Sequence, residues 1–596
     1  MNLESLSNEL LLDLFEYISV IHLLRAFRGL NARFDALLFT HFEIYGHLDF
    51  QSVSKHDFDI VCQQHLPSII DRIISLRLSD DDDTPQQIDI FISYGFTLRQ
   101  FLQLQTLSLY YLCSYETTMK IIEELHHLPY LTHVNFINNH FLCDETDSEN
   151  MINTIWSLPK LTHCHLNINF HQNERLFPRL NTISSSLEYL SIEKFNFDLS
   201  KLDHLFQHTP HIRYFHVRLF DHSFDQQLSC SMPLVIILKL IIQTTLYQLV
   251  NLLQNLPNLC HLKVETLGID LDGQQWEQII INHLPKLKIF QLKMHIKLED
   301  DDDDDDDKQL KIDKLIASFQ SPFWLDEHQW FVRCHCVEEC CLNSIVLYTL
   351  PYAFGYFDPI VKISSKSTCP HENDYWSYNR VHSLIYRTPI ARESALSKFS
   401  FPNVHRLCLS LPSNDHFWSV VTTLDQLISL DLALHDDDDD DDNSNNHVRS
   451  QLQVVLDRAP RLYSLASRSW SDSQMCLVDN RSLSVRRLDL QGYDEDWLEE
   501  RWFDDEYCAK LSCSSLGIQC EVLLIRVEHR TTIIDLVNRM TNLRALNIKC
   551  RDDTFNESNN RSSSTEDEFV KWLKERLPSA WIIARHLIEF VRMWIR

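Results

Sequence analysis

The densest group of potential metal ligands lies between Trp330 and Pro351, where Cys334, Cys336, Cys340 and Cys341 cluster with His335. Thiolate and imidazole are zinc ligands, but zinc centres favour Cys-x2-4-Cys pairs drawn from two separate places. Here one thiol cluster has no well-spaced second pair, because Cys369 and His371 stand alone. The spacing argues against zinc, and the alternation on either side of Glu338 and Glu339 predicts a β-hairpin. Phosphate chemistry fares no better. The one GxxxxG, Gly268 to Gly273, continues into Gln274 and Gln275, where a phosphate-binding loop needs Lys and then Ser or Thr. No HExxH, nucleophile elbow or ordered pair of acids occurs. The sequence predicts no catalytic centre, no metal and no cofactor: a chain that is not an enzyme.

A second set of polar residues recurs at fixed positions inside an apolar pattern. The pattern is aliphatic, two residues, aliphatic, one residue, aliphatic, and it begins at Ile73, Leu104, Leu131, Leu161, Leu187, Ile212, Val235, Leu259 and Leu287. It resumes at Val404, Leu427, Leu462, Val485, Cys520 and Leu543. Most of the steps lie in or near the period of about 20 to 29 residues of leucine-rich repeats. The alternating part suits a short strand with its aliphatics inward, and stretches such as Thr245 to Leu256 have helical spacing. Each strand-plus-helix unit exposes one face to its neighbour, so the fifteen units predict one horseshoe. The repeats are degenerate, since the Asn expected three residues after the last aliphatic stands at Asn139 and Asn169 but is mostly missing.

Side chains between the strand aliphatics should face the concave surface. They include His133, Asn135, His163, His165, Tyr189, Ser191, Tyr214, His216, His261 and Lys263. Strands about 4.8 Å apart would let His133 and His163 stack. The His, Tyr and Lys members of the set are the candidate substrate-binding residues.

Charge and composition limit the partners. Net charge is -30 and three Asp runs, Asp80–Asp83, Asp300–Asp307 and Asp436–Asp442, carry much of it. Such a surface repels phosphate backbones, which excludes a nucleic-acid partner. Each run follows a strand, as does the polar stretch from Asn556 to Asp567, so all fall at one edge of the horseshoe; they read as expanded, solvated loops. An apolar content of 44% supports a sizeable core. The most apolar stretch, Pro233 to Ile242, is about half a membrane span and is broken by Lys239, so no membrane association is expected. The 17 cysteines are odd in number and the first nine residues carry no basic group, which predicts reduced thiols in the cytoplasm or nucleus.

Residues Leu3 to Leu38 parse into three short helices with Ser7, Ser19 and Asn31 as N-caps. The first carries two apolar stripes, Leu10, Leu14 and Ile18 beside Leu11, Leu12 and Phe15. One would suffice for a surface helix, and a unit near forty residues buries too little apolar surface alone, so docking is implied. The segment resembles the F-box, whose usual form is L-P-x-E-L-L-x-x-I-F-x-Y-L, a turn, D-L-L-R and an aromatic ending a third helix. The match runs through Leu6, Glu9, Leu10, Leu11, Leu14, Phe15, Tyr17, Ile18, Leu23, Leu24, Arg25, Asn31, Arg33 and Phe34, with Ser7 in place of the proline and His22 in place of the acid. The resemblance implies docking on a Skp-type adaptor and, through it, a cullin-RING ubiquitin ligase, while the rest of the chain selects a protein substrate. It implies adaptor contacts at Leu6, Ser7, Leu10, Leu11, Leu14, Phe15, Leu23 and Leu24. The alternative is a repeat scaffold that binds partners without a ligase.

The expected architecture is therefore α/β: a three-helix F-box over residues 1–45, repeats over 46–299, an acidic loop and hairpin-rich insertion over 300–400, and repeats with a C-terminal cap over 401–596.

Overall fold

The computed structural model describes residues 3–40, 46–141, 143–170, 177–220, 227–298, 305–339, 342–358, 365–370, 378–386, 399–413, 417–434, 442–467, 476–492, 500–553, 555, 567–586 and 589–595. Three helices open the chain: α1 (Asn8–Glu16), α2 (Val20–Phe27) and α3 (Ala32–Thr40). The three N-caps act as the sequence predicts. Ser7 and Ser19 side chains accept from Leu10 and His22 backbone N–H groups, and Asn31 Oδ1 accepts from Phe34 N–H at 3.0 Å.

A parallel sheet comes next, formed by β1 (His47–Asp49), β2 (Ser75–Ser79), β3 (Thr106–Tyr110), β4 (His133–Phe141), β5 (His163–Phe170), β6 (Tyr189–Phe197), β7 (Tyr214–Phe220), β8 (Ile237–Gln243), β9 (His261–Leu267) and β10 (Ile289–Lys297). The hairpin β11 (Val332–Glu339) and β12 (Leu342–Thr349) extends it, with β12 antiparallel to β10. Two short strands then divide: β13 (Tyr356–Phe357) opens a second sheet and β14 (Lys366–Ser367) returns to the edge of β11. The second sheet continues in parallel through β15 (Ser383–Tyr386), β16 (Arg406–Leu411), β17 (Ser429–Leu434), β18 (Ser464–Ser467), β19 (Arg487–Asp489), β20 (Val522–Val527) and β21 (Ala545–Cys550). It ends in the antiparallel strands β22 (Ile582–His586) and β23 (Phe590–Trp594).

At all fifteen recurrences of the apolar pattern a strand begins two residues after the first aliphatic. Register explains the agreement. Leu107, Val134, Cys164, Leu190, Phe215, Leu238, Leu262 and Phe290 are Cα partners in succession and all are buried, so each unit offers its neighbour the same apolar step. Helices such as Tyr115–Leu125, Leu246–Gln254 and Gly273–His283 cover the other side of that core.

The Asn of the strict repeat does its work at Asn139, whereas Asn169 is half-buried and lies 3.5 Å from the His140 ring. Asn139 is fully buried, with Oδ1 accepting from Leu112 N–H at 2.8 Å and Nδ2 donating to the Leu109 carbonyl at 3.2 Å. Elsewhere a side chain from a helix takes over the backbone groups. Gln87 accepts from Ser79 N–H and donates to the Phe50 carbonyl, and Asn153 donates to the Arg179 carbonyl and accepts from Asn181 N–H. Buried turns need such partners, and a different element can supply them.

One expectation is overturned. Asp80–Asp83 is not a solvated loop but the point where the chain closes on itself. Asp82 accepts from Arg487 and Arg592 at 2.8 Å each and from Asn547 at 2.9 Å. Asp83 accepts from Arg487 at 2.6 Å, from Arg544 at 3.2 Å and from the Tyr463 hydroxyl at 2.6 Å. Asp81 folds the loop by accepting from the Asp83 and Thr84 backbone N–H groups. Beside this network Trp594 packs 5.4 Å from Phe58, and Val522, Leu524 and Ala545 join the core of the first arc. At the opposite end, Arg333 and Tyr348 of the hairpin bond Tyr378, so the two arcs are joined there as well. An open horseshoe is thereby replaced by a closed one. Of the other Asp runs, 300–304 and 436–441 lie outside the described residues, as does 556–566; Asp305 and Asp442 begin helices.

Desolvation pushes the Asp82 carboxyl up, but Arg592 and Arg487 pull it below the ordinary carboxylate range. A lowered folded pKa stabilises above the unfolded value of about 3.9 and that stability is lost as pH falls through the folded value. The Asp82 contribution to closure should therefore be lost only in strong acid. Asp83→Ala leaves Arg544 and Arg487 short of a counter-charge at a buried site, and it is expected to cost about 3 kcal/mol at pH 7. Urea denaturation measures that loss, and hydrogen exchange should rise together in β2 and β23, which are distant in sequence.

Candidate functional site

The N-terminal bundle divides its leucines between two environments. Leu11 and Phe15 of α1 are fully buried, as are Leu23 and Leu24 of α2, and Phe27 lies 5.0 Å from Phe15 and 5.3 Å from Phe34. Four of the eight expected adaptor contacts thus have their side chains in the bundle core. Leu6 is half-buried and Ser7 is spent on capping. Leu10 and Leu14 are 54% and 38% exposed, and Tyr17, at 90%, extends their stripe by a further turn.

The bundle is anchored to the first repeat. Arg33 donates to the carbonyls of Glu4 and Leu6 and to Asn8 Oδ1, which locks the entry to α1. Arg25 pairs with Asp57, and Arg28 donates to the His65 carbonyl at 3.0 Å, tying α2 to the first helix of the solenoid. The exposed stripe of α1 therefore sits on a rigid mount.

All eight expected substrate-reading residues fall on one face of the first sheet. His133, His163, Tyr189, Tyr214 and His261 share one row, with Ile237 between the last two. His165, Ser191, His216, Lys239 and Lys263 share the next. Stacking does occur: ring centroids lie 4.0 Å apart for His133 and His163, 5.3 Å for His163 and Tyr189, and 3.9 Å for Tyr189 and Tyr214. Thr132 and Thr162 hydroxyls orient the two imidazoles through Nδ1 at 2.8 and 2.9 Å.

Glu193 binds the second row together. It lies 3.5 Å from His165 and 3.8 Å from His216, and it accepts from Asn167 at 2.7 Å. Its place two residues beyond Ser191 on the same alternation made it findable by extending the pattern. Lys239, 5.2 Å from the Tyr214 ring, was findable in the same way. The segment Tyr352–Tyr356, which crosses the face and receives the Lys263 ammonium on the Ala353 carbonyl at 2.8 Å, carried no such signal.

The row of rings is a neutral surface. Burial lowers the imidazole pKa of His133, His163 and His165. At His216 burial, helped by Lys239, outweighs Glu193 and brings the value to about 4. In the hairpin, alternation puts Cys334 in the core and His335 on the opposite face, so the two cannot converge on one ion. Cys340, Cys341 and His371 lie outside the described residues.

No family model matches the chain, and no curated protein matches it. Among solved structures, an internalin from Listeria monocytogenes str. 4b F2365 is similar over 82% of this chain and 92% of that chain, at 10% identity and a TM-score of 0.18. The strand-and-helix solenoid rests on the chain's own register. Among the described residues no helix is long and apolar enough to cross a membrane.

A His whose folded pKa lies below the unfolded value of about 6.5 adds stability above that value and loses it as pH falls. NMR titration of the His216 ring should place its midpoint near 4. The fold should lose stability between pH 7 and pH 5, and His216→Asn should reduce that loss.

Proposed function

We propose that this chain is a non-catalytic substrate receptor: the N-terminal bundle docks a Skp-type adaptor of a cullin-RING ubiquitin ligase, and the inner face of the solenoid holds a protein target. The observation that carries this reading is the stripe of Leu10, Leu14 and Tyr17, exposed at successive turns on a small bundle in which, among the described residues, only Leu3 and Leu30 are other exposed large apolar side chains. Isolated exposed leucines are ordinary, but a helical stripe of them on a rigid mount suits a helix-packing partner. The resemblance of Leu6 to Phe34 to the F-box supports the choice of an adaptor. Ubiquitin chemistry then belongs to other subunits, and the receptor works in the cytoplasm or nucleus without a cofactor or a nucleic-acid partner.

The surface proposed for docking is narrower than the sequence pattern. Leu10, Leu14 and Tyr17 make the contact, while Leu11, Phe15, Leu23 and Leu24 hold the helices that present it and Ser7 fixes the start of α1. The target-facing set is His133, His163, His165, Tyr189, Tyr214, His216, His261 and Lys263, which offers stacked rings and hydrogen-bonding edges on one rigid sheet.

The two classes of leucine separate in mutagenesis. Leu10→Asp and Leu14→Asp put a charge into a contact that excludes water and should each weaken adaptor binding by about 2 kcal/mol or more, with little change in melting. Leu11→Ala should instead cost about 2 to 5 kcal/mol of bundle stability through the cavity it leaves. Titration of a Skp-type adaptor, with circular dichroism of each variant, checks both. A folded Leu10→Asp, Leu14→Asp double variant that binds the adaptor like the parent chain leaves only a scaffold that acts without a ligase.

A further inference from the structure

The inner face is not uniformly neutral. At its β8–β9 end Lys239 and Lys263 are direct Cα partners on neighbouring parallel strands, which places two ammonium groups side by side on one surface. Arg380, shortly before β15, brings its positive charge to bear on both Lys263 and His261. His216 is the Cα partner of Lys239, on the β7 side of the pair.

Asp358 acts on Lys293 and Tyr356, and two further acids of this neighbourhood are committed elsewhere. Glu193 is held by Asn167 and lies against His165 and His216. Glu265 is buried, 3.3 Å from both Lys293 and His295, and it accepts from the Tyr356 hydroxyl. Burial pushes its carboxyl up, but these neighbours hold it down at about 2. Among the described residues, the Lys239 ammonium meets only the Tyr214 ring and Arg380 has no hydrogen bond or ion pair. Lys263 has a carbonyl, that of Ala353, and the Phe354 ring at 4.6 Å, but no carboxylate. Burial and then the charges of Lys239 and Arg380 bring the Lys263 ammonium down to about 8. Among the described residues three cations are thus gathered with no carboxylate bonded to any of them, although Glu265 acts on Lys263 from a distance, on a chain whose net charge is -30.

We infer that Lys239, Lys263 and Arg380 form a docking site for an acidic segment of a protein partner, with the stacked rings from Tyr214 back to His133 beside it to receive that segment's less polar flank. This names the class of target for the receptor reading above and rests on it, although the site itself needs no adaptor. Like charges held together by strand register repel one another, and a carboxylate-rich segment relieves that repulsion at three points at once. The rest of the strongly acidic surface would repel the same segment, which confines its approach to this patch.

The test uses the full chain and a dye-labelled octaglutamate peptide, with octalysine and a neutral Gly-Ser octapeptide as controls, read by fluorescence anisotropy. Octaglutamate alone should bind, and its affinity should fall as salt is raised from 50 to about 300 mM. Lys239→Gln with Arg380→Gln should reduce affinity about tenfold, and adding Lys263→Gln should remove binding. Lys571→Gln with Lys574→Gln, on the distant helix Glu568–Arg576, should leave it unchanged. Lys239→Gln and Arg380→Gln alter partly or fully exposed side chains, so that variant keeps the test valid if Lys263→Gln unfolds the chain. Absence of octaglutamate binding, or equal binding by the Lys239, Arg380 variant, overturns the inference. Adaptor titration of the same preparations reports separately on the receptor reading, so either can fail while the other stands.

Discussion

Two aspartates, Asp82 and Asp83, and three arginines hold the two arcs in one body. Taken alone, Asp80–Asp83 is a string of like charges that costs free energy to gather and more to bury. Arg487, Arg544 and Arg592 offset that cost because they arrive from β19, from the residue before β21 and from β23, and share the carboxylates among themselves. The burial of Phe58 against Trp594 follows from the same closure. So does the placement of the inner face: with both ends of the first sheet held, its two polar rows keep one curvature and one orientation.

The repeat architecture was legible because a unit's strand is specified within about six residues. An aliphatic two positions before the strand, then alternation, is a local signal, and all fifteen strands appear where it stands. The caps Ser7, Ser19 and Asn31 were legible for the same reason. What escaped the sequence was decided by distant residues. Asp80–Asp83 has the same composition as the other Asp runs, and nothing near it announces arginines some four hundred residues later. Likewise α1 carries two apolar stripes of similar strength. Which of them is buried depends on where Phe27 and Phe34 come to lie, so Leu11 and Leu10 could not be told apart from α1 alone.

The inner face shows the same division. Alternation placed His133, His163, Tyr189 and Tyr214 in one row, and the stacking expected of adjacent strands is there. Their chemistry was less legible than their positions. Thirty histidines in a chain suggest charge near neutral pH, yet burial between neighbouring strands lowers the values of those in the rows. The surface consequently divides into a stretch of uncharged rings and hydrogen-bonding edges and a stretch of clustered cations. Loss of the consensus Asn at most turns has a similar explanation, since Gln87 and Asn153 reach the same kind of backbone groups from helices.

Closure also sets a schedule for biosynthesis. A linear solenoid can consolidate unit by unit as it leaves the ribosome, each new repeat covering the last. Here the first unit emerges with part of its apolar surface, including the face of Phe58 that meets Trp594, uncovered until β23 has been made. The Asp80–Asp83 loop is likewise without its arginines until most of the chain has been made. Until β19, β21 and β23 have been made the nascent chain thus presents an acidic loop beside uncovered aromatic surface, and only their arrival allows the first repeat to reach its final environment.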